Sequence, residues 1–185
     1  MTWDEPTHTL TVNGPTTTRQ RIAVMFDLAK HDVATVEMSG PGGYFLEGLF
    51  IGRLIRHEGA RVVIPKGKQC ISACAFAALA SSQIVVNGEL LFHRPWLSKM
   101  PAAMTIEEYA GKNGWAYMTM TRYIFEMGYT LNFASLIVTT TSPCKFIVVK
   151  SGAHLRRIQG KPTDMPNLSF ERFTNCHLPV SPVQR

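Results

Sequence analysis

Hydrophobic residues in the first half of the chain follow two alternating periods. Apolar positions two residues apart predict strands, and apolar positions three and four residues apart predict amphipathic helices. This pattern predicts strands at residues 9–13, 33–38 and 61–64, with helices at 18–30 and 45–57 between them. Strands and helices in this alternation are typical of a mostly parallel sheet covered by helices, built from repeated β-β-α and βαβ units, so an α/β fold is expected.

Glycine and proline mark the breaks between these elements. Asn13-Gly14-Pro15 is a turn after the first strand, residues 39–43 form a glycine-rich turn after the second, and Gly59 ends the second helix. The first helix is predicted to bury one apolar face, formed by Ile22, Met25, Phe26 and Ala29.

The second half of the chain continues the alternation. The predicted elements are a helix of small residues, two strands about Asn87-Gly88, two helices and a strand, at 73–80, 83–86, 90–93, 105–127, 131–138 and 146–149. Thr105 begins a capping box, and Gly111 and Gly114 are expected to kink or interrupt the helix that follows it.

The end of the chain has a different character. Beyond Gly160, prolines at 162, 166, 179 and 182 predict irregular structure. The length of 185 residues suits one domain, for which about 100–200 residues is usual. We therefore expect one α/β domain over residues 1–160 and an irregular C-terminal tail over 161–185.

Charge changes this picture little. The formal net charge is +6 and the isoelectric point about 9.3, but the basic residues are scattered, apart from a short basic stretch between His154 and Lys161. No strip of aromatic and basic residues accompanies them, so nucleic-acid binding is not expected.

The sequence also bears on location. Its start lacks the basic and apolar segments of a secretory signal, and no apolar run reaches the roughly 18 residues of a membrane span. We expect no membrane span and a cytoplasmic protein, or a periplasmic one if a signal was removed.

The cysteines leave their pairing open. Cys70, Cys74, Cys144 and Cys176 allow three full pairings, and none lies in a Cys-x-x-Cys pair. Buried free thiols are the expected state for most of them. A zinc site is disfavoured because no second close pair completes one. We expect neither a metal nor a cofactor.

Three features could together carry out serine chemistry. The glycine turn at 40–43 can present backbone N–H groups, and Ser72 lies at a strand-to-helix bend that would expose its hydroxyl. His93 ends an apolar strand. Separately, a plain turn, a helix N-cap and a surface histidine would explain them. Together they supply the oxyanion donors, nucleophile and base that serine attack requires.

These motifs resemble the Clp protease proteolytic subunit family. Residues 38–43 match a family strand that ends in Ser-Pro-Gly-Gly, Gly43 precedes Ser72 by 29 residues as in the family, and residues 92–95 (Phe-His-Arg-Pro) resemble the histidine motif. The Cys-x-Ser-Ala-Cys setting of Ser72 is similar to a branch often predicted to be periplasmic. The resemblance covers about residues 8–160 and implies a Clp-protease/crotonase fold.

The resemblance also implies roles for particular residues. Ser72 would be the nucleophile, His93 the general base, and the N–H groups of Gly43 and Ala73 the oxyanion hole. Where the family has an aspartate, this chain has Cys144. A neighbour such as Thr141 or Ser142 would then orient His93, or activity would be weak or absent.

The resulting interpretation is a serine peptidase that cleaves peptide bonds through an acyl-enzyme, acts on a peptide or protein, and forms a homo-oligomer. Three alternatives stay open: a catalytically impaired relative that serves as an assembly or binding module, a crotonase-type enzyme acting on acyl-CoA thioesters, and a Ser–Lys dyad through Lys99 or Lys112. The residues expected at an interface between subunits are Tyr109, Trp115, Tyr117 and Met120.

Overall fold

The computed structural model describes residues 1–95, 106–141, 145–150 and 169–172. The strands in these ranges are β1 (Thr2–Asp4), β2 (Thr9–Asn13), β3 (Thr35–Ser39), β4 (Arg61–Ile64), β5 (Gln69–Ile71), β6 (Ile84–Val86), β7 (Glu89–Phe92), β8 (Lys145–Val149) and β9 (Ser169–Arg172). The helices are α1 (Thr18–Lys30), α2 (Phe45–Glu58), α3 (Ala73–Ala78), α4 (Ile106–Glu126) and α5 (Leu131–Thr140).

The first sheet has the strand order β1-β2-β3-β4-β6. Strands β2, β3, β4 and β6 run parallel, and β1 adds an antiparallel edge to β2. In register, Val36 pairs with Leu10 on one side and with Val62 on the other, and all three side chains are fully buried. Because paired residues point to the same face of a sheet, this row marks the face that covers the main core.

The second sheet has the order β5-β7-β8-β9. Only β5 and β7 are parallel in it, whereas β8 and β9 are antiparallel to their neighbours. Both sheets are therefore mixed, and the fold is a mixed α/β one. The predicted mostly parallel sheet is not confirmed.

Helix α3 lies in the interior because α2 approaches it closely. A Cβ at Gly48 would come within 3.0 Å of the Ala73 Cβ, and one at Gly52 would overlap the Tyr123 hydroxyl. That hydroxyl donates a hydrogen bond of 3.0 Å to the Phe76 carbonyl. All six residues of α3 are buried. Close packing of small residues thus fixes the helix that follows Ser72.

The predicted apolar face of α1 is wrong, although the helix occupies the predicted residues. Val24 and Leu28 are the buried residues of this helix. The predicted face is exposed: Ile22, Met25, Phe26 and Ala29 all lie towards solvent. Apolar residues occur on both sides of α1, so helical spacing identified the helix without identifying which stripe meets the core.

Other differences concern short or interrupted elements. Helix α4 runs through Gly111 and Gly114 without a break, so neither glycine interrupts it. β1 and β5 were not predicted, because three residues are too few to show a period. β9 lies within the predicted irregular tail and pairs with β8, which corrects that expectation for these four residues. The rest of 161–185 lies outside the described residues.

Candidate active site

Ser72 lies at a strained bend between β5 and α3. Its backbone has φ 55° and ψ −119°, and its N–H donates to the Leu91 carbonyl at 2.8 Å. Positive φ is uncommon for a residue with a side chain, and such strain is concentrated at functional sites. The hydrogen bond continues the β5–β7 ladder one residue beyond Ile71, so the bend comes where the strand ends.

A disulfide closes this bend. Cys70 at the centre of β5 and Cys74 in the first turn of α3 are bonded, with their Cα atoms 5.2 Å apart. Both residues are buried. The expectation of free thiols is therefore wrong for this pair. The physical reason is the reversal at Ser72, which brings a strand residue and a helix residue four positions later within bonding distance.

The glycine turn packs against the same bend. Gly40 extends the second sheet, because its N–H donates to the Gln69 carbonyl at 2.8 Å and its carbonyl accepts from the Ile71 N–H at 2.9 Å. Gly42 has φ +82°, and a Cβ there would lie 2.5 Å from the Ile71 oxygen and 2.8 Å from the Ser72 Cβ. Only glycine fits between the turn and the serine.

The amides of Gly43 and Ala73 point away from the backbone ladders described around them. Thr16 pairs with Gly43 through the amides of Thr16 and Tyr44, at 2.7 and 2.9 Å, so the Gly43 N–H points away from that ladder. Ala73 is the first residue of α3, where an N–H has no acceptor in its own helix. In the turns and caps of the described ranges, neither amide donates to a backbone carbonyl. Gly43 belongs to the glycine turn and Ala73 to the serine bend, and these two segments pack against each other at Gly42.

His93 directly follows β7, the parallel neighbour of β5. Ile71 pairs with Leu91, so Ser72 and His93 follow this pair by one and two residues at the same edge of the second sheet. The carboxyl ends of parallel strands are where sites commonly form in α/β proteins. The fold thus brings the two predicted residues to adjacent strand ends.

The His93 ring is buried and oriented by its own neighbour. Its Nδ1 lies 2.8 Å from the Arg94 carbonyl oxygen, and the ring packs edge-on against Phe146 at 5.1 Å between centroids. Burial lowers the pKa of His93 to about 4, against a smaller raising effect of the Arg94 carbonyl. The imidazole is therefore neutral at neutral pH. Because a carbonyl only accepts, Nδ1 carries the proton in this contact and Nε2 is left as an acceptor.

Thr141 is connected to His93 through Arg94. Its Oγ accepts from the Arg94 N–H at 2.7 Å and donates to the Ile137 carbonyl at 2.6 Å. The Arg94 guanidinium also donates to the Val138 carbonyl at 3.4 Å. Among the described residues, the Arg94 carbonyl lies next to Nδ1 and Thr141 lies behind it. Cys144 and Ser142, which were also expected near Nδ1, fall outside the described residues.

Other candidates from the sequence fall outside the described residues or on the surface. Cys144, Ser142, Cys176 and Lys99 fall outside the described residues. Lys112 is exposed on α4. Over residues 1–95, 106–141 and 145–150, no three His, Cys, Asp or Glu side chains cluster as a metal site requires. None of the helices described has both the length and the apolar character that crossing a membrane demands.

Sequence reasoning missed the disulfide and the Arg94 carbonyl. A pair of cysteines four residues apart on either side of a predicted strand-to-helix bend was a usable signal for the disulfide. The carbonyl had no signal, because every residue carries one.

Comparison with solved structures identifies the fold. The chain is similar to a mutant form of the membrane-bound stomatin-specific protease 1510-N, with a TM-score of 0.59 and 16% identity over 82% of this chain and 75% of that chain. At this identity the likeness shows the fold alone, and it supports a Clp-protease/crotonase-type fold. No protein-family model and no curated protein sequence matches the chain.

Proposed function

We propose that this protein is a serine peptidase in which Ser72 is the nucleophile and His93 is the general base. The observation that supports this most is the strained bend at Ser72, with φ 55°, between a strand and a buried helix. An N-cap serine on an ordinary helix would not need a strained backbone, and its hydroxyl would accept from the helix, which the Ser72 hydroxyl does not. The strain instead suits a side chain held out for reaction.

The chemistry would follow from the orientation of His93. With Nδ1–H donated to the Arg94 carbonyl, Nε2 can take the proton from the Ser72 hydroxyl as the oxygen attacks a peptide carbonyl. We expect Nε2 and Oγ to lie within hydrogen-bond reach, about 3 Å, when substrate is bound. The same nitrogen then returns the proton to the leaving amine, and water hydrolyses the acyl-enzyme through the same steps.

The oxyanion would be stabilised by backbone amides. The N–H groups of Gly43 and Ala73 are the two proposed donors, because neither donates to a backbone carbonyl within the described ranges. Donors of this kind are fixed before the reaction, so they stabilise developing charge without reorganising. Removing one such donor typically lowers turnover by about 10²–10³.

A neutral carbonyl in contact with His93 Nδ1 predicts a modest catalyst. A carboxylate at Nδ1 both fixes the tautomer and stabilises the imidazolium, whereas a carbonyl does the first well and the second weakly. The low pKa of His93, about 4, also makes it a weaker base than an ordinary histidine. We therefore expect slow acylation at neutral pH. This observation also favours the second candidate, an impaired relative that binds peptides without cleaving them.

A protein or peptide substrate is proposed from the fold and its chemistry together. The similar protease 1510-N is named as specific for stomatin, which is a protein. An acyl-CoA substrate would not require a serine and a histidine at neighbouring strand ends. We also propose that the Ser72 segment is most similar to the branch of Clp-like proteins that carries the Cys-x-Ser-Ala-Cys motif.

Activity-based labelling tests the assignment directly. Purified protein treated with a fluorophosphonate should be labelled once, and Ser72→Ala should abolish the label. His93→Asn should lower the labelling rate by about 10²–10⁴, as loss of a general base does. Ser135→Ala, on an exposed position of α5, is the control and should label like the wild type. If the folded wild-type protein is not labelled, the peptidase assignment is wrong and the impaired relative becomes the better interpretation.

We also propose that the chain forms a homo-oligomer through α4. Met120 is fully buried, so it covers the core and is wrong as an interface candidate. Trp115 and Met118 are 54% and 70% exposed, and they are the residues we now expect to pack between subunits. Light scattering should give a mass above 20.6 kDa, reduced by Trp115→Lys with Met118→Lys. A control change at Phe50, which is 51% exposed on α2, should leave the mass unaltered.

A further inference from the structure

A chain of three hydrogen bonds connects His93 to the end of α5. His93 Nδ1 donates to the Arg94 carbonyl at 2.8 Å, the Arg94 N–H donates to Thr141 Oγ at 2.7 Å, and Thr141 Oγ donates to the Ile137 carbonyl at 2.6 Å. From this geometry we propose that Thr141 is a positioning residue: it fixes the Arg94 backbone so that its carbonyl holds His93 in the tautomer that leaves Nε2 unprotonated. This inference rests on the proposed function and deepens it.

The backbone of Arg94 has little other freedom. Its φ is held by the bond from its N–H to Thr141, and its ψ is restricted to extended values because Pro95 follows. Its side chain is fixed to the same helix end through the Val138 carbonyl. With both dihedrals limited, the direction of the Arg94 carbonyl is set, and this carbonyl accepts from Nδ1 of the His93 ring.

The hydroxyl of Thr141 is suited to this task. A hydroxyl has one proton and two lone pairs, and the proton is given to Ile137, so a lone pair faces the Arg94 N–H. Thr141 is 4% exposed, so water does not compete for these bonds. The hydrogen-bonded groups of Ile137, Thr141 and Arg94 would thus orient the His93 ring as a triad carboxylate does, but without supplying a negative charge.

The neighbouring threonine provides a matched control. Thr140 Oγ donates to the Leu136 carbonyl at 2.6 Å, the same bond to the residue four positions earlier that Thr141 makes. Of these two threonines, Thr141 is the one whose Oγ also accepts from the Arg94 N–H. Thr140→Val and Thr141→Val therefore remove the same helix contact, and only the second removes the link to His93.

The first test measures the rate of fluorophosphonate labelling at Ser72 at pH 7. Thr141→Val should lower the rate about tenfold, the effect of one hydrogen bond, whereas Thr141→Ser should restore it and Thr140→Val should leave it unchanged. Equal rates in Thr141→Val and wild type would overturn the inference and leave the proposed function standing. If Thr141→Val does not fold by circular dichroism, Thr141→Ala gives the same comparison.

The second test needs no activity, so it separates the two claims. ¹⁵N NMR of the His93 ring should show the Nδ1–H tautomer in wild type, Thr141→Ser and Thr140→Val, and a mixture or the Nε2–H tautomer in Thr141→Val. An unlabelled wild type with this tautomer pattern would overturn the proposed peptidase and support the positioning role. If the His93 tautomer is the same in Thr141→Val as in wild type, the positioning role is overturned whatever the labelling shows.

Discussion

Ser72 and His93 lie at neighbouring strand ends, but different kinds of contact hold them. The serine is held by residues close to it in the sequence. The disulfide between Cys70 and Cys74 encloses it, and the glycine turn that packs against it belongs to the preceding strand-to-helix unit. The histidine is held from a distance, since its orienting segment is bonded to Thr141, 47 residues further along the chain.

This difference predicts different consequences for substitutions near Ser72 and near His93. The serine bend is over-determined, because close glycine packing, a disulfide and a buried helix all fix it. The histidine is oriented by a hydrogen bond to the neutral Arg94 carbonyl and is kept uncharged by burial. We expect changes on the serine side to remove reactivity outright, and changes on the histidine side to tune its rate and its response to pH.

The largest effect is expected from Gly42→Ala. The new Cβ would lie 2.5 Å from the Ile71 oxygen and 2.8 Å from the Ser72 Cβ, so the turn must move away and carry the Gly43 amide with it. Loss of an oxyanion donor should lower fluorophosphonate labelling by about 10² or more. The measurement is the second-order labelling rate.

Gly67→Ala controls for the backbone cost of that change. Gly67 has φ +73°, close to the +82° of Gly42, but nothing lies within 4 Å of its added Cβ. It should lose about 1 kcal/mol of stability from the unfavourable φ and keep normal labelling. Equal labelling in both variants would remove the glycine turn from the site.

Stability on the histidine side should depend on pH. The pKa of His93 is about 4 in the folded protein and about 6.5 when unfolded, so between these values the unfolded state binds more protons. The free energy of unfolding should therefore fall as pH drops from about 6.5 to about 4, by about 3 kcal/mol from this group. Urea unfolding at pH 7 and pH 4.5 measures it.

Two variants assign this slope to His93. His93→Gln should remove most of it, whereas His57→Gln, at an 85% exposed side chain, should preserve it. The labelling rate should likewise stay level from pH 8 down to about pH 5, because His93 remains neutral there. A labelling midpoint near 6.5 would show that the histidine is not buried as described.

The same contrast explains what the sequence could predict. Helices α1 and α2 and the bend at Ser72 follow from local signals, namely periodicity, glycines and a serine before small residues. The partner of His93 follows from no local signal, because it is a backbone carbonyl fixed by a residue far along the chain. The exposed face of α1 was mispredicted for a related reason, since tertiary packing chose between two apolar stripes.

Removing the disulfide should have a moderate effect. Cys70→Ala with Cys74→Ala should lower the free energy of unfolding by about 2 kcal/mol, the loop-closure value for a ring this short, and should slow labelling by loosening the bend. Peptide mapping without reductant should recover Cys70 linked to Cys74, and finding both thiols alkylated would contradict the pairing.

The smallest effect should come from Phe146→Leu, which changes the packing against the histidine ring. Phe146 is 3% exposed and contacts His93 edge-to-face at 5.1 Å, a geometry worth about 1 kcal/mol beyond area burial. A leucine leaves space and admits water, so the pKa of His93 should rise from about 4 towards 6.5, as followed by NMR titration of the ring. Labelling at pH 8 should barely change, because His93 is neutral in both proteins, while labelling at pH 5.5 should fall in the variant. Phe125→Leu, whose ring is 65% exposed on α4, should shift neither quantity. An unchanged His93 titration in Phe146→Leu would mean that burial by this ring is not what holds the histidine neutral.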